Sequence, residues 1–300
     1  MREIMVAAIL VASTSLENVD GLVDTRLTYK EYAARKLDGD FSELHRRFSA
    51  SGYLICGDGD RQSASIVARN DIVVGAAHSF REKIDGKCVP AHCELSDSYF
   101  QVIESNGSRG RKIRILQDTA RVSQSWRCDD TQFDIDWAIA RLQQPVTEVM
   151  PYEPAGYEPS TTGAISLKSP TAFNVTLLAA QSNNFRNASN VHPSSPTIAD
   201  CLVGYIWNMS NGGQSLPSSF GIGINCKSGP GSSGGAVMTR QLSSWVFIGV
   251  VSGSKYGSEW DRLPFSDKNY TGGPLLSVNS EFYETLMDMS GRDEIWPSPQ

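Results

Sequence analysis

A chain of 300 residues with 27 basic and 33 acidic side chains has a net charge of −6, which gives a polyanion no basic excess to bind and argues against nucleic acid as a partner. At 40% apolar residues it can bury a sizeable core, and its length suits two modest domains or one large one, with two similar halves the starting expectation. Six cysteines, Cys56, Cys88, Cys93, Cys128, Cys201 and Cys226, show no CxxC spacing, which favours disulfides in an oxidising compartment over a zinc or redox site.

The first residues, MREIMVAAILVASTS, put Arg2 before an apolar run and then small residues, the pattern of a short secretory signal over 1–15. Glu3 and a buried N-terminal element stand as the other reading. The apolar run is too short to span a bilayer, so no stable membrane insertion is expected. Residues 16–50 read as a helical N-terminal extension, because Thr28 with Glu31 and Asp40 with Glu43 each form a capping-box pattern. From Ser51 the texture changes to short β-type runs, GYLIC, ASIVA, DIVVGAA, SYFQVIE and KIRILQ, broken by Gly, Asp, Asn and Lys. A proline-rich stretch over 143–163 suits a linker. Beyond it AISL, FNVTLLAA, GYIW and WVFIGVVSG resume the β texture, and SEFYETLMDMS, with Ser280 as N-cap, closes the chain as one helix. The expected architecture is all-β, with one β domain over 51–150 and a second, carrying the C-terminal helix, over 151–300.

GPGSSGGAV, at 229–237, sets two serines among glycines. A nucleophilic Ser233 needs a base and backbone N–H donors aimed at a developing oxyanion, and Gly231, Gly234 and Gly235 let the backbone turn its amides inward. An ordinary loop has the same composition. The stretch also matches GxSxG, the nucleophile elbow of α/β-hydrolases, whose histidine follows the serine. Here His45, His78, His92 and His192 all precede Ser233, which removes that reading and disfavours a serine esterase on another fold. His78 ends DIVVGAAHSF, an imidazole at a strand end with little bulk around it, suited to a general base or to a structural role. Asp136, in FDIDWAIARLQQP, directly precedes an alternating apolar run, and Asp134 is its rival.

Taken together, VVGAAHSF, DWAIARLQQP and GPGSSGGAV resemble the histidine, aspartate and Gly-Xaa-Ser-Gly-Gly blocks of the chymotrypsin-like (trypsin-fold) serine peptidases, in that family's chain order. Ser252, nineteen residues after Ser233, matches the family's serine that hydrogen-bonds the aspartate and opens the substrate-pairing strand. The resemblance runs from about Gly52 to about Met287. It implies two six-stranded antiparallel β-barrels and a serine endopeptidase acting on protein or peptide without metal or cofactor. In that role His78 is base and then acid, Asp136 orients it, Ser233 is the nucleophile, and the N–H groups of Gly231 and Ser233 form the oxyanion hole.

The sequence departs from the family at several positions. Ser232 stands where digestive members carry an aspartate that captures a new N-terminal ammonium, so activation by that salt bridge is not expected. CKSGPGSSGGAV looks closer to the bacterial glutamyl-endopeptidase-like branch, which implies a Cys201–Cys226 disulfide. Cys88 with Cys93 and Cys56 with Cys128 complete one guess among fifteen connectivities. Ser79 follows His78, so the disulfide usual beside that histidine is absent. Lys227, at a position resembling the base of the S1 pocket, argues against trypsin-like cleavage. With Ser228 and Ser254 it would take an acidic P1 side chain, unless Lys227 faces solvent; Val251 stands where the branch keeps a pocket histidine. A catalytically silent binding homologue is the alternative function, kept because of Ser232, Lys227 and the extension. Residues 16–50 are either a removable pro-segment or a brace, the location is secreted or periplasmic, and His92 lacks partners at metal-ligand spacing.

Overall fold

The computed structural model describes residues 25–57, 60–91, 93, 97–128, 132–156, 173–182, 185–186, 191–192, 195–209, 219–229, 231–241, 244–255, 270–278 and 280–291. The signal-like run at 1–15, AISL and His92 lie outside the described residues.

The chain enters on a short strand, β1 (Leu27–Thr28), and two helices, α1 (Tyr29–Lys36) and α2 (Phe41–Phe48). Thr28 and Glu31 complete the capping box: the Thr28 hydroxyl accepts from the Glu31 N–H at 3.2 Å, and the Glu31 carboxylate accepts from the Thr28 N–H at 2.9 Å. Asp40 caps α2 by accepting from the Glu43 N–H, but Glu43 does not complete a box. Its carboxylate turns to Arg46 and Arg47, which hold it down to a pKa of about 2.

The first barrel follows: β2 (Ser51–Cys56), β3 (Asp60–Ile66), β4 (Ile72–Gly75), β5 (Arg81–Ile84) paired with β6 (Lys87–Pro90) in a separate hairpin, β7 (Tyr99–Ile103), β8 (Arg109–Val122) and β9 (Ala138–Leu142). It closes in the order β2, β3, β4, β9, β8, β7, antiparallel throughout. The β-branched run of β4 is buried along its whole length, as a strand must be when both its faces meet protein.

β10 (Glu153–Pro154) leads into the second half, with β11 (Phe173–Ser182), a ribbon of β12 (Phe185–Arg186) and β13 (Val191–His192), β14 (Ser195–Met209), β15 (Ser219–Ile224), β16 (Ala236–Gln241), β17 (Ser244–Val250), β18 (Gly253–Lys255) and β19 (Tyr270–Leu275). The order β17, β16, β11, β14, β15, β19 closes through the Gly249–Leu275 pairing into a second six-stranded antiparallel barrel. The proline-rich stretch is ordered over its described part. Tyr152 hydrogen-bonds Ser51 in the first barrel at 2.9 Å, while β10 pairs with β17 in the second.

The last helix, α3 (Glu281–Ser290), is capped by Ser280, which accepts from the Tyr283 N–H, and ends at Gly291 in the left-handed conformation. Phe282 stacks on Trp137 of the first half at 5.1 Å and meets Phe247 of β17 edge-on at 6.5 Å. One buried ring thus joins both barrels, worth roughly 2 to 3 kcal/mol by area. Arg141 and Arg69, both paired to Asp71, donate to the final carbonyls of α3 at Met289 and Ser290, where the negative end of the helix dipole favours cations. No helix among the described residues is long and apolar enough to cross a membrane.

The disulfides are Cys56–Cys93, Cys88–Cys128 and Cys201–Cys226. Cys201–Cys226 is the expected pair, while the two guesses in the first half are corrected. Cys88 stands on β6, away from the barrel, and meets the loop before Asp136 with Cα atoms 5.5 Å apart; Cys93 instead returns to the end of β2. Three disulfides accord with an oxidising compartment, extracellular or periplasmic.

Candidate active site

His78 sits three residues past β4, in a 3₁₀ turn over Ala77–Ser79. Gly75, Ala76 and Ala77 are small enough to let that turn press onto the barrel, with Ala76 and Ala77 fully buried. The Ser79 hydroxyl donates to the Gln62 side-chain carbonyl on β3, so a hydrogen bond ties the histidine turn to its neighbouring strand.

Asp136 follows a second 3₁₀ turn, Phe133–Ile135, and is 1% exposed. Its Oδ1 accepts from the His78 backbone N–H at 2.9 Å, and its Oδ2 lies 2.7 Å from His78 Nδ1 and accepts from the Ser252 hydroxyl. Burial alone would push this carboxyl up. The charge and hydrogen bonds of His78 and the Ser252 hydroxyl outweigh it and hold Asp136 below the usual carboxylate range. An ionised acceptor places the imidazole proton on Nδ1 and leaves Nε2 as the basic nitrogen. Asp134, the rival, is also buried but faces elsewhere: it accepts from the Ser219 hydroxyl at 2.5 Å and from the Trp207 side chain.

Ser233 lies in the turn after Cys226, with its hydroxyl donating to the Ser252 carbonyl at 2.9 Å. Ser252 therefore touches both Asp136, through its hydroxyl, and Ser233, through its carbonyl. The turn is closed by its own backbone: the Ser232 N–H donates to Gly229 O at 2.9 Å, the Gly229 N–H to the Ser232 hydroxyl at 3.2 Å, and the Gly235 N–H to Ser232 O at 2.9 Å. Gly231 and Gly234 have φ of 87° and 80°, a region that side chains rarely adopt, and a Cβ on Gly234 would strike the Ser63 carbonyl.

No family model matches the chain, and no curated protein does. Solved structures do. A Glu endopeptidase superposes with a TM-score of 0.56 at 10% identity, covering 91% of this chain and all of that one. A thermostable serine protease from an extremophilic microorganism superposes with a TM-score of 0.50 at 16% identity, covering 82% of this chain and 98% of the other. The chain has the chymotrypsin-like serine peptidase fold. In this fold the described contacts of His78, Asp136, Ser233 and Ser252 fall where the two barrels meet, the first two residues from one barrel and the last two from the other.

On the second barrel of the chymotrypsin-like fold, Ser228 and Ser254 hydrogen-bond each other through their hydroxyls. Sequence reasoning missed their third partner, Thr271, which is fully buried. Its hydroxyl donates to Cys226 O at 2.7 Å and lies 3.1 Å from Ser254 Oγ and 3.2 Å from Ser228 Oγ. The Ser254–Thr271 register between β18 and β19 brings the two side chains together, a cross-strand relation that chain order conceals. Lys227 is partly buried next to this cluster, and Cys226, the residue before it, is held by the disulfide to Cys201. Among the described residues no group of three His, Cys, Asp or Glu suits a metal ion.

Proposed function

We propose that the protein is a serine endopeptidase that hydrolyses peptide bonds through an acyl-enzyme on Ser233. The observation that carries this reading is the node at Asp136, which accepts from His78 twice and from Ser252, whose carbonyl in turn holds the Ser233 hydroxyl. Ser233 Oγ attacks the scissile carbonyl as its proton passes to His78 Nε2. The N–H groups of Gly231 and Ser233 stabilise the tetrahedral oxyanion, and His78 returns the proton to the leaving amine before water repeats the cycle. Asp136, kept ionised, stabilises the imidazolium.

The Ser228, Ser254 and Thr271 hydroxyls, with Lys227 beside them, suit a P1 side chain that accepts hydrogen bonds, and the reading takes that side chain to be a carboxylate. The Glu endopeptidase among the superposed structures agrees with this preference but, at 10% identity, carries only the fold. Labelling with a fluorophosphonate is expected to modify Ser233 and to be abolished in Ser233→Ala. Absence of an adduct on the native protein, or an adduct that persists in Ser233→Ala, overturns the reading. A peptide library without enrichment of Glu or Asp at P1 removes the acidic preference alone.

A further inference from the structure

We infer that Ser63, on β3 of the first barrel, is the positioning residue of the loop that carries Gly231 and Ser233 on the second. Ser63 is 1% exposed and makes three hydrogen bonds across the barrel boundary. Its backbone N–H donates to Ser233 O at 2.9 Å, its hydroxyl donates to Gly231 O at 2.8 Å, and the same hydroxyl accepts from the Ala180 N–H at 2.9 Å. Its carbonyl lies against Gly234, close enough to exclude any Cβ there.

These contacts fix the peptides on either side of the 232–233 peptide, which carries the Ser233 N–H. In a trans peptide the carbonyl and the N–H point in opposite directions, so pinning one aims the other. Ser63 holds the carbonyl of the 231–232 peptide through its hydroxyl and that of the 233–234 peptide through its N–H. The intervening carbonyl, on Ser232, is held by the Gly235 N–H, which turns the Ser233 N–H the other way. Gly231, at a φ of 87°, has no side chain to resist a flip of the 231–232 peptide, and the Ser63 hydroxyl opposes that flip because it would lose its acceptor. The Ala180 N–H in turn orients the hydroxyl, so that its one proton is directed to Gly231.

The inference rests on the reading of Gly231 and Ser233 as oxyanion donors. Ser63 acts through the loop and touches no substrate. Ser63→Ala, with rates expressed per active site counted by burst titration, is expected to lose about 10- to 100-fold in kcat with KM within about twofold, because a displaced donor costs transition-state binding. Affinity for a peptide aldehyde, whose hemiacetal oxygen occupies the hole, falls by the same factor, while an unreactive peptide binds as before. Ser63→Thr, which keeps the hydroxyl, restores most of kcat.

Native kcat in Ser63→Ala, or equal losses for the aldehyde and the unreactive peptide, overturns the inference and leaves the peptidase reading intact. Failure of the native protein to react with a fluorophosphonate overturns both. Should Ser63→Ala not accumulate as folded protein, Ser63→Cys keeps the size with a weaker donor and is expected to lose a smaller factor, with native kcat again the contrary result.

Discussion

Phe48 of α2 packs edge-on against Trp245 of β17, with ring centroids 5.7 Å apart, so the segment that leads into the first barrel is anchored on the second. The anchor is broad. β1 pairs with β14, Tyr32 meets Phe48 edge-on at 5.7 Å, and Asp200 on β14 is shared by the Tyr32 hydroxyl and Lys36. These contacts favour a brace over a removable pro-segment. Phe48→Ala leaves a cavity in a fully buried site and is expected to cost about 3 to 5 kcal/mol, read from a denaturant midpoint. A cost below about 1 kcal/mol would mean the segment is a detachable cover.

The relations legible in the sequence were those set by neighbours in the chain. The Thr28–Glu31 box and the Ser280 cap are three-residue patterns, and β2, β4 and β17 are apolar runs bounded by breakers. His78 and Asp136 are legible as candidates because His78 follows such a run and Asp136 precedes one. What escaped was set by distant pairing. Ser63 and Thr271 are ordinary strand residues until β3 meets the loop at Ser233 and β19 meets β18. The hairpin of β5 and β6, rich in charge and exposed, carries no alternation to mark it, and without it the partner of Cys88 was beyond reach.

Asp136 is expected to matter as an ionised acceptor. Asp136→Asn keeps the size but favours the wrong imidazole tautomer, and the loss expected in kcat is about 10⁴-fold with the fold retained. The sign of its pH effect follows from its depressed pKa. The folded protein binds this proton less tightly than the unfolded chain, where the value is about 3.9. The stability it contributes is therefore present above that value and lost as pH falls through the folded one. An Asp136→Asn protein with native kcat would sink the assignment.

The disulfide map is checked by non-reducing peptide mapping, which is expected to give Cys56–Cys93, Cys88–Cys128 and Cys201–Cys226. A Cys88–Cys93 peptide would contradict the hairpin geometry. Replacing both Cys201 and Cys226 by alanine opens a loop of 25 residues and is expected to cost about 3 kcal/mol on the chain-entropy model. Because Cys226 immediately precedes Lys227 and Ser228, the same variant is expected to blur P1 selectivity more than it lowers labelling of Ser233.

Asp134 is expected to behave in the opposite sense to Asp136, two residues away. Burial raises its pKa, and the hydrogen bonds from Ser219 and Trp207 only partly offset this. The folded protein thus binds its proton more tightly than the unfolded chain, so its contribution to stability falls as pH rises from about 3.9 through the folded value. Asp134→Asn is neutral at every pH and keeps a carbonyl to accept from the Ser219 hydroxyl. Its stability relative to the native protein should therefore increase from pH 4 to pH 7, as measured by urea unfolding at both. Each comparison holds Asp136 constant, so the difference isolates Asp134, and parallel curves for the two proteins would show that its carboxylate is not penalised by burial.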